Sequence, residues 1–171
     1  MNSKMEQLKI PKERIACLIG KNGFEKRDIE EKTKTKLIIN SEEGDVIIEG
    51  ESFNCYNCKR IIKAIGRGFN PKIALMLLEE NCYFELINLE DYCRNSKNDL
   101  RRIKARLIGA QGKAWKTIEK LTNTEISVYG KTVGIIGLQE EVMLAKKAIK
   151  NLLQGSKHGN VYAFIEKHKS L

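Results

Sequence analysis

Leu18-Ile19-Gly20-Lys21-Asn22-Gly23 and Leu107-Ile108-Gly109-Ala110-Gln111-Gly112 decide the fold, because one stretch repeats the other. Each is two aliphatic residues followed by two glycines three apart. The spacing alone is weak. With 13 glycines in 171 residues, about one such pair arises by chance. A third pair, Gly134 and Gly137, encloses Ile135 and Ile136 and reads as buried strand. The first two gain weight because the likeness continues past them. At an offset of 89, Ile29-Glu30 meets Ile118-Glu119, and Thr33 and Thr35 meet Thr122 and Thr124. A two-residue deletion then shifts the offset to 87. Val46, Ile48 and Gly50 meet Val133, Ile135 and Gly137; Lys59, Ile62 and Lys63 meet Lys146, Ile149 and Lys150. An ordered series of this kind is an internal duplication.

The duplication predicts two domains of about 70–90 residues each. The expected bounds are 1–70 for the first, 71–79 for a connector helix, and 80–171 for the second with a short C-terminal extension. Within the first, residues 5–10 alternate as a strand, and Pro11 suits a first helical turn. A helix carrying Ile15, Leu18 and Ile19 ends at Gly20, and another spans residues 24–33. Strands follow at 37–39 and 45–49, then a helix with Ile61, Ile62 and Ile65 on its face. Asn70-Pro71 is a helix-start signal for residues 73–78. The second unit repeats the order: strand 83–89, polar loop 90–98, helices 99–108 and 113–121, strands 125–129 and 132–136, helix 138–153. Gly130-Lys131 is the tight turn between its last two strands. Residues 162–169 add a short helix.

Apolar residues make up 42% of the chain, enough for a small core in each unit. The net charge is +9. The basic residues crowd the glycine stretches: Lys21, Lys26 and Arg27 in one, Arg101, Arg102, Lys104, Arg106, Lys113 and Lys116 in the other. That distribution points to a polyanionic partner. The five cysteines, Cys17, Cys55, Cys58, Cys82 and Cys93, are an odd count. Residues 1–7 are polar and residues 73–78 are the longest apolar run, so no leader, no membrane span and reduced cytoplasmic thiols are expected. Cys55 and Cys58 lack a second pair at zinc spacing.

A helix–turn–helix built on these glycines has a clear chemistry. The second helix opens with unpaired N–H groups and a partial positive charge. Glycines let a sugar-phosphate backbone approach closely. Lys21 and Lys113 add charge, and Ile19 and Ile108 floor a groove for unstacked bases. The following strand supplies the far wall, expected at Ile38 with Asn40 and at Ser127 with Tyr129. The expected binding residues are therefore Ile19, Gly20, Lys21, Asn22, Gly23, Lys26 and Arg27, then Ile108, Gly109, Ala110, Gln111, Gly112, Lys113, Lys116, Ser127 and Tyr129. No cofactor or metal ligand is expected.

Helix–Gly-x-x-Gly–helix followed by two strands and a helix resembles the type I (eukaryotic-type) KH domain, an α+β fold. Each unit is then β-α-α-β-β-α, with a three-stranded antiparallel sheet packed against helices. KH modules clamp about four single-stranded nucleotides at this loop. Ala64-Ile65-Gly66-Arg67-Gly68-Phe69-Asn70-Pro71, and residues 123–137 around Tyr129-Gly130-Lys131-Thr132-Val133, resemble more narrowly the archaeal pre-ribosomal RNA processing family. That family is related to eukaryotic partner-of-Nob and Krr-type proteins. The resemblance implies a single-stranded RNA-binding factor of small ribosomal subunit biogenesis, near the 3′ end of the small-subunit rRNA. It also implies contact with a Nob-type endonuclease and with the α subunit of translation initiation factor 2. Three residues past the second glycine the pattern wants an apolar side chain. Trp115 supplies it in the second unit; the first has Lys26, with Phe24 nearby. The second unit fits the pattern better.

An enzyme needs converging reactive groups. His158 and His168 stand in the tail as solvated residues, and Glu42, Glu43 and Asp45 form a polar turn. No Gly-Lys-Ser/Thr phosphate loop is present. Binding without catalysis is the expectation. A protein-docking adaptor with incidental nucleic-acid affinity, and a single-stranded DNA binder, remain as alternatives.

Overall fold

The computed structural model describes residues 3–94 and 96–169. It divides between Glu80 and Asn81 into two compact units. The first contains β1 (Ser3–Lys9), α1 (Lys12–Ile19), a 3-10 turn (Lys21–Gly23), α2 (Phe24–Thr33), β2 (Lys36–Asn40), β3 (Asp45–Glu51), α3 (Ser52–Gly66) and α4 (Pro71–Ala74). The second contains β4 (Cys82–Asn88), α5 (Lys97–Ile108), a 3-10 turn (Ala110–Gly112), α6 (Lys113–Thr122), β5 (Glu125–Tyr129), β6 (Thr132–Leu138), α7 (Gln139–Leu153) and α8 (His158–His168). Each unit is the expected α+β arrangement, β-α-α-β-β-α, with one appended helix.

Both sheets are antiparallel, ordered β1-β3-β2 and β4-β6-β5. The last-formed strand lies in the middle, so β2 and β5 each keep one free edge. Alternation puts Leu37, Val46 and Ile48 on the first sheet's helix side, fully buried. Ile29, Ile61, Ile62 and Ile65 are buried on the helices of the same unit. The second core joins Ile87, Ile126, Val133 and Ile135 to Ile103, Leu107, Ile118 and Ile149. Each such side chain contributes about 1.5–3 kcal/mol by leaving water.

The duplication extends to polar detail. α2 and α6 both stop at a left-handed residue, Lys34 (φ 57°) and Asn123 (φ 55°). The next amide then reaches back, Thr35 N to Glu30 O and Thr124 N to Glu119 O, 3.1 Å in each. Flanking hydroxyls pair in the interior: Thr33 with Thr35 at 2.7 Å and Thr122 with Thr124 at 2.8 Å.

The segment at 71–79 is α4 followed by a 3-10 turn, Leu75–Leu78, and both pack on α3. Asn70 Oδ1 accepts from Ile73 N at 2.9 Å and Pro71 follows it, the cap read from the sequence. The loop at 90–98 holds a 3-10 turn (Leu89–Tyr92), while Asn95 lies outside the described residues. α5 starts two residues earlier than expected, because Ser96 Oγ accepts from Asp99 N at 3.0 Å. The tail helix starts at His158, earlier than residue 162, and buries Val161 and Ile165 in the second core. Gly159 and Asn160 hid that first turn from a propensity reading. Among the described residues, no helix is long and apolar enough to cross a membrane.

Candidate nucleic-acid interface

The two glycine loops are the same backbone object. Gly20 has φ 74°, ψ 177° and Gly109 has φ 74°, ψ 176°. Asn22 (55°, 26°) matches Gln111 (56°, 28°), and Gly23 (73°, 16°) matches Gly112 (71°, 14°). Gly20 and Gly109 occupy a region open only to glycine. Each loop closes on itself, with Gly23 N donating to Gly20 O and Gly112 N to Gly109 O, both 3.2 Å. Lys21, Asn22, Ala110, Gln111 and Lys113 are exposed at the tips. Ile19 and Ile108 are half-buried beside them.

Behind the loops the copies differ. A Cβ on Gly109 would lie 2.6 Å from Ala114 Cβ, and one on Gly112 3.2 Å from Trp115 Nε1. Trp115 packs on the second core, and Lys116 Nζ sits 5.9 Å from its ring centre. In the first unit the aliphatic carbons of Glu25 fill the space behind Gly20, and Arg27 lies behind Gly23. Arg27 Nη1 donates to Asn22 O at 2.7 Å, so this cation is built into the loop. Lys26 is half-buried. Phe24 does not stand in for the missing apolar residue; it is 60% exposed.

The strand residues expected at the far wall lie on alternating faces of their sheets. Ser127 and Tyr129 alternate with Ile126 and Val128, which pack on the core. They therefore project from the sheet face opposite the helices, and Val128 shares the helix side with Ile126. Ile38 likewise projects away, since Leu37 is buried, and the inward position is Ile39. Asn40 turns into its own loop, its Oδ1 accepting from Glu42 N and Glu43 N at 3.0 and 3.2 Å. The free edge of β5 presents backbone polar groups. Ile126 N points off the free edge of β5 to Glu119 Oε2 at 2.7 Å. Two residues on, the N–H and C=O of Val128 point the same way. Side-chain polarity carries no signal for an exposed backbone edge.

The basic cluster of the second unit disperses. Lys113 and Lys116 stay exposed at the loop. Lys104 Nζ instead donates to Gly130 O at 2.9 Å, tying α5 to the β5–β6 turn. Arg102 pairs with Asp99 at 3.4 Å, and Arg106 donates to Ser156 O. His158 is half-buried, and its Nε2 donates to Arg106 O at 2.9 Å. Burial pushes the Cys58 thiol up from its ordinary value; Thr35 Oγ1 donates to it at 3.4 Å.

A family profile described as "Eukaryotic type KH-domain (KH-domain type I)", the second-domain PNO1 type, matches residues 83–170; a KH-domain profile matches residues 5–64. A KH domain-containing protein of Methanocaldococcus jannaschii is 43% identical over 173 residues, covering 98% of this chain and 75% of that protein. The RNA-binding protein pno1 of Dictyostelium discoideum is 34% identical over 104 residues, 60% of this chain and 43% of that protein. Crystal structures of Dim2p from Pyrococcus horikoshii OT3, alone and in an a/eIF2alpha–aDim2p–rRNA complex, share 44% identity and a TM-score of 0.89. They cover 96% of this chain, and 99% and 93% of their own. With both profiles falling on the two glycine-loop units, the chain belongs to the KH-domain family, as a tandem of KH units whose second is of the PNO1 type.

Proposed function

We propose that the chain binds single-stranded RNA through Gly109–Gly112 and Gly20–Gly23 and acts, without catalysis, in small ribosomal subunit assembly near the 3′ end of the rRNA. One observation carries the reading: two exposed glycine loops with superimposable dihedrals, each beside a free strand edge. Phosphates lie against the loop and the start of α6 or α2, where Lys113, Lys116, Lys21 and Arg27 supply charge. Bases rest on Ile108 or Ile19, and the backbone at Val128 or Ile39 reads their edges. The rRNA in the Pyrococcus horikoshii complex and the pre-rRNA-processing names of PNO1 relatives support the RNA class. A cytoplasmic site of action follows from that role.

The initiation factor in the same complex favours a second reading, in which the chain also docks the α subunit of initiation factor 2. Contact with a Nob-type endonuclease rests on the family resemblance alone. The test uses filter binding with the full chain. Ala110→Asp with Gln111→Asp puts two negative charges against phosphate and is expected to weaken RNA binding without lowering the melting temperature. An rRNA 3′ fragment is expected to outcompete a scrambled one of equal length. Unchanged affinity in the aspartate variant would remove the loop from the site. Equal competition would favour the adaptor.

A further inference from the structure

α3 has a face that the duplication does not explain. At 100° per residue, Phe53, Tyr56, Arg60 and Lys63 fall within about 80° of its circumference. Phe53 is 73% and Tyr56 61% exposed, two of the largest apolar exposures in the chain. The Arg60 guanidinium carbon lies 5.8 Å from the Tyr56 ring centre, within cation–π range. Lys63 is exposed one turn further on. α3 contains no acidic residue, while α7 opens with Glu140 and Glu141. At the corresponding places α7 carries Glu140, Met143, Lys147 and Lys150, which line a groove beside Phe164 and His168 of α8. The aromatic pair is therefore peculiar to the first unit. Buried packing does not account for it, because the inward face of α3 is already filled by Cys55, Cys58, Ile61, Ile62 and Ile65.

We infer that the Phe53–Tyr56–Arg60–Lys63 stripe is a second single-stranded RNA subsite, on which unstacked bases lie against the rings while Arg60 and Lys63 meet phosphates. Charge complementarity selects this occupant: the stripe is cationic and aromatic with no carboxylate of its own helix, the combination that binds single strands without reading sequence. The inference rests on the RNA-binding reading of the glycine loops and adds site length to it.

The experiment compares an oligonucleotide of about six residues, enough for one loop, with one of about twenty-four. Fluorescence anisotropy is measured on the full chain carrying Phe53→Ala with Tyr56→Ala, or Arg60→Glu with Lys63→Glu. Each pair is expected to weaken the long RNA at least about tenfold and leave the short one unchanged. Phe53→Trp with Tyr56→Trp is expected to keep full affinity, since stacking needs a ring and not these two rings. Urea midpoints of the Phe53→Ala/Tyr56→Ala pair should stay level, because those two side chains are exposed. Unchanged affinity for the long RNA, with the Ala110→Asp/Gln111→Asp loop variant still weakened, overturns the stripe alone and leaves that face to a protein partner. If the loop variant is unchanged as well, the RNA reading itself fails.

Discussion

Glu119 Oε2 accepts a hydrogen bond from Ile126 N at 2.7 Å, and Glu30 Oε2 accepts one from Leu37 N at 2.9 Å. One carboxylate in each unit thus pins the edge strand to the helix that follows the glycine loop. The bond fixes where the edge strand sits against that helix. Glu119→Ala orphans a half-buried amide and should cost about 1–3 kcal/mol in urea denaturation. Glu119→Gln keeps an acceptor and should cost less.

The same carboxyl has a pH signature. Burial raises its pKa above the ordinary 4.5, outweighing the Ile126 hydrogen bond, which lowers it. A raised folded-state pKa means the folded state holds the proton more tightly than the unfolded one. The stability Glu119 contributes is therefore fully present below its ordinary pKa and lost as pH rises through the raised value. Urea midpoints of the parent and Glu119→Gln, followed from neutral pH downward, should shift in the parent's favour across that window. A constant difference would contradict the shift.

The two glycines of a loop should not be equally replaceable. Gly112 is left-handed (φ 71°, ψ 14°), where alanine costs about 1–2 kcal/mol. Gly109 (φ 74°, ψ 176°) lies where only glycine is at ease, and a Cβ there meets Ala114 N at 2.9 Å as well as Ala114 Cβ. Gly109→Ala should therefore lower the melting temperature more than Gly112→Ala.

Thr122 Oγ1 donates to Ile118 O at 2.7 Å and accepts from Thr124 Oγ1 at 2.8 Å. Thr122→Val leaves Thr124 short of a partner in a buried site. The double change to valine should then cost less than the sum of the singles, by roughly 0.5–1 kcal/mol in a thermodynamic cycle. Additive losses would show the hydroxyls act independently.

Affinity for single-stranded RNA should fall as salt rises. The slope is about 0.7 log units per phosphate contact for each log unit of salt. Lys113→Ala and Lys116→Ala, both exposed beside the loop, should each reduce that slope by less than about one. Lys104→Ala should leave the slope alone, because its ammonium is held by Gly130 O.

Sequence carried the duplication, the element order and both loops, because glycine spacing and apolar periodicity are local properties that a repeat doubles in strength. It also located Asn70 as a cap and Trp115 as core. Polarity suggested Ser127 and Tyr129 as a reading surface, and the pleat of β5 sends those side chains to the face opposite the helices. Sequence grouped Arg102 and Arg106 with the loop lysines; folding gave both to partners elsewhere.

What the chain determined by itself is where it must turn: Gly20 and Gly109 take dihedrals that side chains forbid, and Gly23 and Gly112 take left-handed ones that side chains enter only at a cost. What only the tertiary structure decided is which backbone groups stand at an open edge beside the glycine loops. That choice is set by strand order, which leaves β5 and β2 at free edges, and by the long-range bond from Glu119 to Ile126. Backbone amides are the same in every residue, so their exposure is written in the fold and nowhere in the letters.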